Sequence, residues 1–211
     1  MCNLYSMTKS QAAIRELARA MRDTTGNLPP LPGIFPDTLA PVVRVAPDGE
    51  RELAMLRWGM PSPPKYGSAP ITNIRNTKSP HWRQWLKPEN RCLVPATSFC
   101  EWTDASPKVT HWFALDERRP LFWFAGIWCA WKGVRKKQDG EHLLFGFLTT
   151  EANDVVRPIH AKAMPVILRS PEEAERWMTA SAPDALALQQ PLRADALRIV
   201  ARGDKRDGIA A

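Results

Sequence analysis

Leu121-Phe122-Trp123-Phe124-Ala125-Gly126-Ile127-Trp128-Cys129-Ala130-Trp131 and Leu143-Leu144-Phe145-Gly146-Phe147-Leu148-Thr149 decide the fold. Both runs are aromatic and aliphatic almost throughout and read as core strands. Asp139-Gly140, between them, is a hairpin turn signal. Working outward, Trp112–Leu115 reads as another core strand, and 91–95 and 98–102 as short strand pieces. Leu39–Ala46 and Glu52–Trp58 read as two strands joined by a turn at Pro47-Asp48-Gly49. Met164–Leu168 reads as one more strand. Helical signals are fewer. Thr8 and Gln11 form a capping-box pattern, and Ile14, Leu17 and Met21 repeat at helical spacing, which predicts a helix over 8–22. Residues 80–87 predict a short helix, 152–156 one or two helical turns, and Ser170-Pro171-Glu172-Glu173 a well-capped helix start.

Long crossover helices do not alternate with these strands, which argues against a doubly wound parallel sheet. The expected class is α+β: a single domain with a curved, mostly antiparallel, β-barrel-like sheet and short flanking helices. It is expected to span 1–201, with a polar, frayed tail from Arg202 to Ala211. A chain of 211 residues suits one domain with one large core. Its 20 prolines, about twice the usual share, suggest stiff, ordered connections. No apolar run is long enough to span a membrane and no secretory signal opens the chain, so a cytoplasmic protein with reduced cysteines is expected. Cys92, Cys100 and Cys129 lie among apolar neighbours and read as buried, inert thiols.

The chain carries 29 Lys and Arg against 22 acids, a net charge of +7, and nine Trp. A basic surface with flat aromatics suits a nucleic-acid strand. An ordinary basic protein with a Trp-rich core has the same composition. The individual residues say more. Once Met1 is removed, Cys2 offers an amine and a thiol on adjacent carbons. Such an aminothiol can attack an amide carbonyl, or condense with an aldehyde and close to a thiazolidine. Glu101, one acid in an apolar stretch, is a candidate general acid or base. His160, at an ordered corner after Pro158, can titrate near neutrality. Asn73 and Arg75 share one face of an extended segment; Arg75 can fork onto a phosphate and Asn73 can donate to a polar oxygen. No histidine or cysteine spacing suggests a metal, and no cofactor is implied.

Taken together, Met1-Cys2, Arg57-Trp58-Gly59-Met60-Pro61, Asn73-Ile74-Arg75, Arg91-Cys92-Leu93-Val94-Pro95-Ala96, Phe99-Cys100-Glu101-Trp102, Phe124-Ala125-Gly126-Ile127-Trp128, Thr149-Thr150-Glu151-Ala152-Asn153 and Ile159-His160 with Met164-Pro165-Val166-Ile167-Leu168 resemble one family. Their order is that of the SRAP domain, the SOS response-associated peptidases, also called abasic-site processing proteins. The resemblance implies a positively charged cleft for single-stranded DNA and capture of the abasic-site aldehyde as a thiazolidine crosslink. It implies that Cys2 is the nucleophile, Asn73 orients the lesion, and Glu101 and His160 move protons. Arg75 would bind phosphate; Arg83, Thr149, Tyr66 and Trp102 are further DNA-contact candidates. A peptidase activity that removes the residue before Cys2 and a monomer are implied as well; an imine between the Cys2 amine and the aldehyde would also make a lyase activity, strand cleavage by β-elimination, feasible.

Some positions depart from the family pattern. Many members begin Met-Cys-Gly-Arg, whereas Asn3 and Leu4 follow Cys2 here. The aromatic that often precedes the Glu is Cys100, the acid that often follows Asn-x-Arg is replaced by Asn76-Thr77, and Ala161-Lys162-Ala163 is one residue longer than usual. Two other classes remain open on the residues alone. One is an N-terminal nucleophile amidohydrolase, similar in its first two residues to glutamine amidotransferases. The other is a non-catalytic single-strand binder that uses Trp and Arg.

Overall fold

The computed structural model describes residues 2–63 and 67–207. Its elements begin with β1 (Tyr5–Met7), α1 (Gln11–Ala18), β2 (Arg22–Asp23), β3 (Leu31–Ile34), β4 (Leu39–Val45), β5 (Arg51–Trp58), β6 (Asn73–Ile74) and α2 (Pro80–Arg83). Then come β7 (Arg91–Ala96), β8 (Ser98–Trp102), β9 (Thr110–Ala114), β10 (Phe122–Arg135), β11 (Gln138–Thr150), β12 (Met164–Pro165) and β13 (Ile167–Leu168). α3 (Pro171–Thr179), α4 (Ala182–Leu186) and β14 (Arg198–Arg202) complete the chain.

The two strands that open the sequence reading form the long hairpin β10–β11, at the centre of a closed barrel. The ring runs β5–β4–β7–β10–β11, and a parallel pairing of Leu144 with Arg57 and Phe145 with Trp58 closes it. Every other pairing around the ring is antiparallel. The expected α+β barrel-like architecture is therefore present. Gly126 lets β10 lie close to β7: a Cβ there would stand 2.7 Å from the Cys92 sulfur and 2.8 Å from a Val94 methyl. The core is aromatic. Trp58 stacks on Phe147 at 5.2 Å, and Phe124 meets Phe147 at 4.6 Å. Trp58, Trp112, Trp123 and Trp177 are wholly buried, so these rings build the core.

A second sheet, ordered β14-β9-β8-β1-β3, lies against the barrel. Alternation along β1 sends Tyr5 inward and Ser6 outward. Tyr5 meets Trp58 edge-on at 5.1 Å and also touches Phe124 and Phe147. One buried ring thereby ties the N-terminal strand to the barrel.

Several local readings change. The β10–β11 turn is Lys136-Lys137, with φ of 46° and 65°, because Arg135 pairs with Gln138. Asp139-Gly140 lies in β11, where Gly140 pairs with Gly133 at a φ of 146°. Register is set by core pairs such as Trp128 with Phe145, and those outweigh a local turn preference. α1 is shorter than 8–22, and its cap is Ser10, whose hydroxyl accepts from the Ala13 amide. Gln11 instead reaches across to Asp23, Thr25 and Gly26. The 80–87 helix shortens to Pro80–Arg83, and 152–156 opens a run of turns rather than a helix. The 164–168 strand splits at Val166 because the segment crosses from β11 to β10. The Ser170 capping box is present, with Glu173 returning its bond. The tail is not frayed at Arg202. It is bonded to the second sheet as far as Asp207.

Candidate functional site

Cys2 leads into β1 and is 1% exposed. Its carbonyl accepts a 2.7 Å hydrogen bond from Asn73 Nδ2, and its thiol donates to the Leu4 carbonyl at 3.4 Å. Asn73 is placed by β6, which runs parallel to β11 with Asn73 opposite Phe147. The same Nδ2 donates to Thr72 Oγ1 at 2.8 Å, and Thr72 Oγ1 donates to Asn3 Oδ1 at 3.3 Å. Trp58 Nε1 donates to the Thr72 carbonyl, which anchors this segment to the barrel. Asn73 Oδ1 is buried and has no hydrogen-bond partner among the described residues.

Glu101 arrives from β8. Tyr5 pairs with Phe99 and Ser6 with Ser98, and the same register carried toward the N-terminus brings Asn3 level with Glu101. Glu101 is 2% exposed, and burial raises its carboxyl to about 7. The Cys2 thiol is held well above its usual range, first by burial and then by the negative Glu101 nearby. His160 comes from the turn after β11. Asn153 organises that turn: its Oδ1 accepts from the Val155 and Val156 amides, and its Nδ2 donates to the Leu192 carbonyl. The His160 amide then donates to the Val156 carbonyl at 2.8 Å. Burial lowers the imidazole below its ordinary value, so His160 is neutral near pH 7.

Glu101 and His160 line one open cleft of about 360 Å³ together with Asn3, Trp102, Thr103, Asp104 and Lys108. Asn73 bonds to Cys2, the Glu101 charge acts on the Cys2 thiol, and Glu101 shares the cleft with His160; Cys2 and Asn73 themselves do not line it. A group near 7 beside a neutral imidazole is a workable acid–base pair at neutral pH. A larger cavity of about 700 Å³, between Lys9, Leu17, Arg118 and Leu121, holds none of these residues.

Other positions fall nearby or elsewhere. Arg75 is exposed, and its guanidinium makes no ion pair among the described residues. Gln189 Nε2 donates to the carbonyls of both Arg75 and Thr149, at 2.9 Å each, and so ties β6 to β11. Thr77 Oγ1 donates to Gln189 Oε1. Arg83 is exposed at the end of α2, beside a groove shared with Lys78, Lys87 and Gln189. Trp102 is half-buried and faces the cleft. Tyr66 lies outside the described residues.

Sequence reasoning missed Thr72 and Gln189, since polar residues in loops carry no periodic signal. Two departures prove to be a single packing event. Leu4 and Cys100 are neighbours across β1 and β8, and they pack with Trp112 in a small separate cluster. The three other thiols are buried as expected; burial pushes Cys100 and Cys129 up to about 12.

The profile of the family described as SOS response associated peptidase (SRAP) matches residues 1–202. The chain belongs to the SRAP family. Among SRAP relatives, the abasic site processing protein YoqW of Bacillus subtilis is 33% identical over 166 residues, which is 73% of this chain and 71% of that protein. YoaM of the same organism, also named an abasic site processing protein, is 34% identical over 167 residues, 73% of this chain and 70% of that one. A crystal structure from Bordetella bronchiseptica superposes with a TM-score of 0.73 at 25% identity, covering 96% of this chain and 98% of its own. One from Bacteroides thetaiotaomicron reaches 0.72 at 22% identity, over 93% and 90% of the two chains, and shares the fold. No helix among the described residues is long and apolar enough to cross a membrane.

Proposed function

We propose that this SRAP protein traps abasic sites in single-stranded DNA through Cys2, forming a thiazolidine that shields the lesion. The observation that carries the reading is a carboxyl raised to about 7, that of Glu101, acting on a Cys2 whose carbonyl is pinned by Asn73. Removal of Met1 creates the aminothiol, and self-cleavage there accounts for the peptidase of the family name. Neutral His160 accepts the C1′ hydroxyl proton as the closed sugar opens to its aldehyde, and returns it to the departing ring oxygen, which becomes a free hydroxyl. The Cys2 amine adds to that carbonyl carbon. Protonated Glu101 donates to the departing hydroxyl, and one water leaves to give the imine. The thiol then adds to the carbon of the imine, which left that step protonated on nitrogen; the thiol proton returns to the Glu101 carboxylate, and the neutral five-membered ring closes. Strand cleavage by β-elimination starts from the same imine, so ring closure competes with any lyase activity.

The names of YoqW and YoaM agree with this substrate. An aldehyde exists only where the base is missing, so the cleft need not read sequence. A stacked duplex hides the sugar carbon, which favours a single strand. Arg75, Arg83, Trp102 and Thr149 are the proposed strand contacts. Every residue used comes from one chain, so a monomer suffices.

The test is incubation of the processed protein with a single-stranded oligonucleotide carrying one abasic site. A band that survives a denaturing gel should form, with the mass of protein plus DNA less one water. Cys2→Ala should form none; the same adduct from Cys2→Ala overturns the reading. An unmodified strand should give no such band.

A further inference from the structure

Asp207 lies past residue 202, where the family match ends, yet it is wholly buried. Its Oδ2 accepts from the Ser98 hydroxyl and, at 2.7 Å, from Arg119 Nε. Ser98 Oγ is in turn 2.7 Å from Ser6 Oγ, and Ser6 Oγ is 3.0 Å from Thr97 Oγ1. With a carboxylate as the terminal acceptor, these hydroxyls must all point one way: Ser98 donates to Asp207, Ser6 to Ser98, and Thr97 to Ser6. The Asp207 amide donates to the Pro32 carbonyl on β3. The Asp204 carbonyl accepts from Thr110 Oγ1 and Trp112 Nε1 on β9, both at 2.9 Å. Residues 203–207 therefore form a strap across the whole second sheet.

Alternation along β8 puts Ser98 and Cys100 on the strap side and Phe99 and Glu101 on the other. The strap thus clamps from behind the two strands that carry the candidate chemistry, β1 with Cys2 and β8 with Glu101. A buried ion pair gives little net stability over apolar packing.

We propose that Asp207 is a positioning residue: through Ser98 and Ser6 it locks β8 to β1 and holds the Glu101 carboxyl against the Cys2 terminus. Its effect on the reaction rests on the function proposed above; its effect on Glu101 does not. Cys2 and Asn3 face Glu101 from the N-terminal segment, His111 lies opposite it on β9, and Asp104, Lys108 and His160 surround the cleft. Loosening the strap admits water between β1 and β8 without changing any of these charges.

The experiment compares wild type with Asp207→Ala and Ser6→Ala. The second variant cuts the hydroxyl chain while leaving the buried ion pair intact, and it serves alone if the first does not fold. One readout is the Glu101 carboxyl titration by carbon NMR, assigned with Glu101→Gln. It should fall by about one pH unit or more toward the ordinary glutamate range. The other is the rate of adduct formation at saturating abasic DNA, which should fall roughly tenfold while affinity for an intact strand is unchanged. An unmoved Glu101 titration in either folded variant overturns the proposal, as does an unmoved rate in a wild type that crosslinks. A wild type that forms no adduct defeats the proposed function instead, and the titration still decides the role of Asp207.

Discussion

Holding the Glu101 carboxyl at about 7 by burial has an energetic consequence that can be measured apart from any reaction. Below the ordinary glutamate range, Glu101 is protonated whether the chain is folded or not, and the shift costs nothing. Between that range and about pH 7 the unfolded chain releases this proton and the folded chain keeps it, so stability falls as pH rises. Above pH 7 the full cost is present, at most about 3 kcal/mol for a displacement of this size. Glu101→Gln is therefore expected to stabilise the protein at pH 8 by up to about that amount, to have little effect at pH 4, and to slow crosslinking sharply. Urea melts at the two pH values check the first part, and equal stability changes at both would refute it. Asn73→Ala frees the Cys2 carbonyl, so it should slow adduct formation roughly tenfold at unchanged affinity for intact strands. At the residue scale, the groups proposed for the chemistry, Cys2, Asn73, Glu101 and His160, were identifiable by type and motif. Thr72 and Asn3 were not, because their part depends on a hydrogen-bond chain that only the folded arrangement creates.

The elements differ in how much local sequence controls them. α3 begins where Ser170, Pro171 and Glu173 say it should, because a capping box is completed within four residues. The β10–β11 hairpin does not turn where its strongest local signal lies. Ten cross-strand pairs run from Gly126 with Phe147 to Arg135 with Gln138, and the buried ones set the register. The turn is left to Lys136 and Lys137, both in the left-handed region that a side chain disfavours. Replacing them with Asn-Gly should stabilise the protein by about 1 kcal/mol. An unchanged or lower midpoint in urea would count against a two-residue turn at this position. Gly126→Ala should act in the opposite direction, costing about 1–3 kcal/mol, since β7 stands too close for a methyl group. Thermal melts measure that difference directly.

For the whole molecule, the net charge of +7 has a measurable meaning only through its placement. Arg75 and Arg83 are exposed cations beside the segments that frame the site. Binding of a single strand should weaken with salt, each neutralised phosphate adding about −0.7 to the log–log slope. Arg75→Ala should reduce the slope by about that amount and leave the covalent step at saturation unchanged; fluorescence anisotropy over a salt series, beside single-turnover gels, separates the two. The nine Trp spoke less of DNA than of the core, as the burial of Trp58, Trp112, Trp123 and Trp177 shows. The sequence by itself determined the strand-rich α+β class, the likeness to the SRAP family and the choice of candidate reactive groups, because alternation, capping and motif order are local properties. Only the tertiary structure decided that Leu4 and Cys100 share one small cluster, that Gln189 ties Arg75 to Thr149, and that the tail closes on Ser98 through Asp207. Those contacts join residues distant in the chain, and their partners are chosen by strand register, which the buried side chains of both sheets fix together.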